Sequence, residues 1–556
     1  MANLKYKIGL IGSPVKFVSW TEETVRSMKQ IGFNALQLNI AWGGRPHDEP
    51  LNLEDVVALS GEASLKYEQE IPIGGDSSSG AWERRRNDLK ERIRLCKQAG
   101  LRSIFHFGAP YNGKDGYRDL PLDNCLLDGV TPDRYVALLE RFNKEFPGVD
   151  DLLLYTYDQD AWLCNEFGTC ESCRGIPLDE RVVPFVNLLA RTWKRLTGGR
   201  LWWEPWELSA GQVLKAIEKL DADCVSLALH SNIAEVTATL PVDRFLKNAA
   251  NLAVKRNIPF VVEGFFTSAT EEVEPYEHIA YPLVTLRQLR AIAGIPGAAG
   301  VKEYFGIDMT KPDPNLRVTE LFFRNPGIGD DEALGELAEP YGTAAEEMKA
   351  FWRLSSESFE LFPWDVSWFA RKIGLCDVSH SMTAAFIRGQ QCHTPSWDST
   401  RRAIFMKTDD LEPDSWMIED IQLRCELSAE RATAAIQAGR NALERVSASL
   451  RDIFEKNLDE LDGFQRRAMS YAYHLRETNL VRIIRSYRED HRDVPERLLA
   501  ELTALLKEDQ QNQRSTEPIQ TVLGVLEEDL DEFLDRYFLT PDRNDWVKGP
   551  HSLTSR

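Results

Sequence analysis

Two aspartates spaced two residues apart, Asp158 and Asp160, close the run DLLLYTYDQDAW, with Tyr157 before them and Trp162 just after. If the extended conformation continues, both carboxylates lie on one face. Further along, WWEPWE offers Glu204 and Glu207 among Trp202, Trp203 and Trp206, and VVEGFF carries Glu263. VKEYF supplies Lys302, Glu303 and Tyr304, LALHS ends near His230, and earlier runs contribute Asn39, Trp42, His106 and Tyr111. Carboxylates brought to one place repel unless they pair with cations or share protons, and the repulsion raises at least one pKa. Glycoside hydrolysis needs that arrangement, with one carboxylic acid protonating the leaving oxygen and a carboxylate opposite acting as nucleophile or as base for water. The assignment expected on this reading has Asp160 as the acid and Glu263 as the nucleophile or base. Asp158 and Glu207 then tune or orient. The substrate-facing set is Trp42, Tyr157, Trp162, Trp203, Trp206, His230, Glu303 and Tyr304, because flat aromatic faces suit the apolar faces of sugar rings. Pro205 decides which of Glu204 and Glu207 turns inward.

These residues act together only if the fold collects the ends of their runs. Over residues 1–311 a short apolar run alternates with an amphipathic segment eight times, beginning with YKIGLIGSP and ending with GVKEYFGID. The alternation predicts an α/β fold, a (β/α)8 TIM barrel, whose active sites lie at the C-terminal ends of the strands. A doubly wound sheet is disfavoured because no GxGxxG follows the first run. Residues 312–556 change to apolar stripes at three- and four-residue spacing, which predicts an all-α helical C-terminal domain with a helix break before Gly463. Pairing of helical faces could also build a homodimer.

The chain has 556 residues with 66 Lys+Arg against 87 Asp+Glu, a net charge of −21, and 14 Trp. That balance argues against nucleic acid as a partner, and the aromatic content argues against disorder. No apolar run reaches the roughly 20 residues of a membrane span. With no secretory pattern at MANLKYKIGL, a cytoplasmic location is expected. Nine scattered cysteines argue against a disulfide framework. Three of them, Cys164, Cys170 and Cys173, share one segment and could hold zinc if a fourth ligand came from elsewhere. Otherwise no cofactor is expected.

The stretch PDPNLRVTELFFRNPGIGDDEALGELAEPYGTAAEEMKAFWRLSSESFELFPW resembles the segment that follows the barrel in family-67 α-glucuronidases. DLLLYTYDQDAWLC with its following cysteines is similar to strand-four segments of barrels related to family-20 hexosaminidases. Family-20 enzymes carry adjacent Asp-Glu where this chain has Asp-Gln-Asp, so the resemblance implies a glycoside hydrolase of a neighbouring family, exo-acting on a carbohydrate substrate. Two other classes compete. One is a non-catalytic carbohydrate-binding barrel, which would not need paired acids. The other is a metal-dependent hydrolase or lyase built on the cysteine segment.

Overall fold

The computed structural model describes residues 4–14, 16–41, 49–59, 80–111, 125–156, 161, 163–164, 170–205, 208, 210–230, 239, 241–270, 276–364, 415–513 and 517–536. Eight parallel strands close in chain order into a barrel. They are β1 (Tyr6–Leu10), β2 (Ala35–Gln37), β3 (Arg102–Gly108), β4 (Asp151–Tyr155), β5 (Leu201–Glu204), β6 (Val225–Leu229), β7 (Phe260–Gly264) and β8 (Ala298–Glu303). Seven of them lie inside the runs predicted from sequence, and β8 begins two residues before its run, GVKEYFGID. The outer helices are α1 (Glu22–Ile31), α2 (Ala81–Ala99), α3 (Val130–Glu145), α4 (Leu178–Thr197), α5 (Ala210–Ile217), α6 (Arg244–Lys255), α7 (Pro282–Ala293) and α8 (Pro314–Arg324). Local chemistry sets their ends. Thr21 and Thr24 form a reciprocal capping box at the start of α1, and Gly32 ends it in the left-handed region at φ 113°. Asp313 caps α8 through the backbone N–H groups of Asn315 and Leu316, just ahead of Pro314. Helix α8 packs against α7 and α1, so it completes the outer ring as the eighth helix.

Side chains alternate across each strand. Ile8, Ala35, Ile104, Leu153, Trp202, Ala228 and Val261 fill a lower interior layer. Two residues further along each strand, the same inward face presents Gln37, His106, Tyr155, Glu204, His230, Glu263 and Lys302, all buried. The core of the barrel is therefore apolar below and polar towards its C-terminal mouth. Gly108 makes room there, since a Cβ at that position would meet the Tyr155 ring at 2.4 Å.

Beyond the barrel run α9 (Asp330–Ala338), α10 (Ala345–Leu361), α11 (Ser415–Leu443), α12 (Ala448–Glu489), α13 (Glu496–Gln513), α14 (Glu517–Glu528) and α15 (Leu530–Arg536). The break expected before Gly463 is not there. The chain turns instead at residues 444–447, and α12 runs unbroken through Gly463 for 42 residues. An interior glycine costs a helix about 1 kcal/mol, and here the missing Cβ lets Tyr276 approach, since a Cβ would lie 2.8 Å from its hydroxyl. On the same face of α12, Glu460 Oε2 accepts the N–H groups of Glu277 and His278 at 2.8 and 2.5 Å, and Asn457 Nδ2 donates to His278 O at 2.6 Å. The helical region is thus docked on the segment between β7 and α7. Inside the bundle, Asp509 lies 3.2 Å from His474 Nε2 and accepts from Ser470 Oγ at 3.2 Å. Among the described residues, no helix is long and apolar enough to cross a membrane.

Candidate active site

The polar layer is organised around Lys302. In the register of the sheet Lys302 sits opposite Glu263, and its Nζ donates to Glu263 Oε1 at 2.5 Å. The same ammonium lies 3.7 Å from Glu204 Oε1. Two strands apart, His106 Nε2 is 2.9 Å from Glu204 Oε2, and from the neighbouring strand His230 Nε2 is 3.8 Å from Glu263 Oε2. Gln37 fixes the tautomer of His106. Its Nε2 donates to Asn39 O at 2.8 Å, a carbonyl that can only accept, so the same amide nitrogen also donates to His106 Nδ1 at 3.0 Å. Nδ1 is then the acceptor, and the ring proton sits on Nε2 facing Glu204. Asn39 holds the backbone of His106 on both sides, accepting from its N–H at 3.0 Å and donating to its carbonyl at 2.7 Å.

Electrostatics separate the members of this cluster. Burial pushes the Glu263 carboxyl up to about 7, with Glu204 adding to the rise by its charge and as a hydrogen-bond partner, against the pull of Lys302 and His230. For Lys302 burial opposes the ammonium, but Glu263 and Glu204 overcome it and raise its pKa. Burial, with Lys302 nearby, holds His106 well below the usual imidazole range, so its ring is neutral. The result is a carboxyl that keeps its proton to near-neutral pH beside a second carboxylate and a fixed cation. That combination can deliver or receive a proton.

The expected site residues divide into three groups. Glu263, His230 and Tyr304 lie at or beside the polar layer; Tyr304 packs edge-on against His230 at 5.8 Å and sits over Lys302. Asp158, Asp160, Glu207, Trp42, Tyr157, Trp162 and Trp206 fall outside the described residues. Two expectations are corrected. Trp203 points away from the barrel interior into the packing beneath the helices, is 0% exposed, and has its Nε1 3.3 Å from Thr156 Oγ1. Its parity on β5 is opposite to that of Trp202 and Glu204, so it has no face to offer a sugar. Glu303 likewise faces away from Lys302's side of β8, and its two oxygens accept the N–H groups of Phe266, Phe305 and Gly306 at 2.8, 2.9 and 3.1 Å. Burial still raises its pKa to about 7 despite those three donors. It shapes the loops after β7 and β8 and is fully buried on the outward side of β8.

Of the pair Glu204 and Glu207, Glu204 turns inward, while Glu207 lies outside the described residues. Gln37 was not singled out by the sequence, and His106 and Lys302 were named only as polar residues at strand ends, although strict alternation from Ala35, Ile104 and Gly300 points to all three. Cys164, Cys170 and Cys173 do come together, and a fourth sulfur joins them from the loop after β3, that of Cys125.

No protein-family model matches the sequence, and no curated protein matches it. Solved structures do. A GH138 enzyme targeting pectin rhamnogalacturonan II superposes with a TM-score of 0.60 at 12% identity, over 95% of this chain and 63% of that one. This fold is one that a glycoside hydrolase shares. The chain spans less than two thirds of that neighbour's length. Looser likenesses link it to CpGH84B, with a TM-score of 0.39 at 11% identity over 94% of this chain and 77% of that one. An O-GlcNAc hydrolase mutant from Thermobaculum terrenum gives 0.41 at 11% identity over 99% of both chains.

Proposed function

We propose that this chain is a glycoside hydrolase that cleaves a terminal glycosidic bond of an oligosaccharide or glycoside by carboxylate acid/base chemistry. The observation that carries the reading is Glu263, a buried carboxyl whose pKa is raised to about 7, set beside Glu204 and Lys302 at the C-terminal end of the strands. That is where barrel enzymes work, and the barrel shared with the GH138 enzyme supports it. A carboxyl that holds its proton near neutrality suits the proton donor. This favours exchanging the roles drawn from chain position: Glu263 protonates the leaving oxygen, Glu204 takes up or returns the proton, and Asp158 or Asp160 provides the nucleophile or the base for water. The complete burial of Glu263 favours a second reading, a carbohydrate-binding barrel in which the cluster is only the top of the core.

The test is a screen of nitrophenyl glycosides, aldobiouronic acids and rhamnogalacturonan II fragments, the last because the GH138 neighbour targets that polymer. Glu263→Gln is expected to slow poor leaving groups by about 10²–10⁴-fold and dinitrophenyl glycosides far less, since these leave without a proton. The profile of kcat/KM should fall on its alkaline side near pH 7, where Glu263 loses its proton. Full turnover in both Glu263→Gln and Asp160→Asn overturns the assignment. Saccharide binding with no product in the wild type selects the second reading.

A further inference from the structure

The four sulfurs of Cys125, Cys164, Cys170 and Cys173 all lie within 4.8 Å of one another, although 39 residues of chain separate the first two. Cys125 lies 3.3 Å from Cys173 and 3.8 Å from Cys170, sulfur to sulfur, and all four are unpaired thiols. A tetrahedral ion with metal–sulfur bonds of about 2.3 Å sets its ligands about 3.8 Å apart along each edge. The observed spacings bracket that value. They exceed a disulfide bond of about 2 Å, and they are too tight for the corners of a four-iron cluster. Two further features fit a metal site. Backbone N–H groups of Ser172 and Cys173 are directed at the Cys170 sulfur, as the thiolate of a metal-binding Cys-x2-Cys turn requires. The buried guanidinium of Arg181 donates to the carbonyls of Cys164 and Ile176 at 2.5 and 3.1 Å, bracing the loop and placing a cation beside what would be a dianionic centre.

We propose that Cys125, Cys164, Cys170 and Cys173 hold one structural zinc ion that staples the loop after β3 to the loop after β4. All four coordination positions are filled by sulfur, so no position remains for water or substrate, and the ion is structural rather than catalytic. Binding converts the four thiols to thiolates and releases their protons. The loop after β4 carries Asp158 and Asp160, and Cys164 follows Asp160 by four residues. A bridge between Tyr111 and Ala161 already pairs the two loops at their base. The zinc would tie the two loops together a second time, between Cys125 on one and Cys164, Cys170 and Cys173 on the other. This inference does not depend on the glycosidase reading.

Elemental analysis of the full chain purified without chelator should find about one zinc per chain. Cys125→Ser and Cys170→Ser should each cut that content at least about fivefold and lower the melting temperature, whereas Cys224→Ser, at a buried thiol elsewhere in the barrel, should leave it unchanged. If the serine variants do not fold, cobalt exchanged into the wild type should give the visible bands of a tetrahedral thiolate site. Four freely titrating thiols in a metal-free, folded chain overturn the proposal. So does a disulfide among these cysteines in freshly reduced and re-purified protein, or iron in place of zinc. None of these readouts involves turnover, so failure here and failure of the glycosidase reading are separate results.

Discussion

Removing the cation of the polar layer, by Lys302→Met, tests how that layer is held together. At an effective dielectric of about 20, charges 2.5 and 3.7 Å apart attract by about 7 and about 4.5 kcal/mol. Most of that gross attraction offsets the desolvation of the three buried groups, and loss of one partner from such a set costs about 3–5 kcal/mol. The sign of the pH dependence follows from Glu263. Its carboxyl keeps a proton to about pH 7 in the folded chain, against about 4.3 when unfolded. The folded state therefore binds more protons than the unfolded state over that interval. Stability conferred through this group is fully present below about pH 4 and falls by up to roughly 3 kcal/mol as pH rises to about 7. In the wild type the loss through Glu263 levels off within about one pH unit above that value. Without the ammonium the folded-state pKa climbs further, and the decline continues beyond pH 7. The deficit of Lys302→Met relative to wild type should therefore be smaller at pH 5 than at pH 8.5. At roughly 1 °C per kcal/mol for a chain of this length it reaches about 3–5 °C at the higher pH. Melting curves followed by tryptophan fluorescence across that range measure it, and adding Glu263→Gln to Lys302→Met should recover part of the loss at pH 8.5. An equal deficit at both pH values, or no recovery in the double variant, would mean that Lys302 acts only by packing, and the electrostatic account of the site would be wrong.

Glu303→Gln leaves the shape of the side chain but turns an amide NH2 towards a backbone N–H that the carboxylate now accepts. One charge-assisted bond is lost and one buried donor is stranded, together about 3–5 kcal/mol. A lower melting temperature and faster hydrogen exchange at Phe266 or Phe305 check this; wild-type values for both would contradict it. Trp203→Ala should cost about 3–5 kcal/mol through the cavity it opens while leaving KM for any cleaved glycoside unchanged. A raised KM with an unchanged melting temperature would return Trp203 to the sugar.

All eight strands were legible because each is a compact apolar run bounded by polar residues and followed by a helix with its own stop signal, Gly32 and Gly100 being examples. Glu263, His230 and Tyr304, at the ends of their runs, could also be picked out. What the run ends did not reveal was facing. Trp203 and Glu303 stand next to residues that do face inward, and only the period of two measured from the layer below separates them. WWE offers two tryptophans with equal claims until Trp202 is known to belong with Leu153 and Val261. Cys125 was out of reach for a different reason. Its partners lie one βα unit later, and the parallel pairing of β3 with β4, not proximity in the chain, brings the two loops together. The continuous helix through Gly463 was hidden because its support, Tyr276, comes from another part of the chain.

That docking has a consequence for how sequences of this kind can diverge. Asn457, Glu460 and Gly463 on α12 meet backbone groups of Glu277 and His278 and the ring of Tyr276. The carboxylate of Glu460 is committed to two N–H groups whose positions depend on the length of the segment between β7 and α7. An insertion there would strand the carboxylate, and a residue larger than glycine at position 463 would expel the tyrosine. Related chains should therefore show linked variation, with the length of this segment changing only together with the residues at 457, 460 and 463. Grafting a foreign segment after β7 should succeed only when that face of α12 is grafted with it.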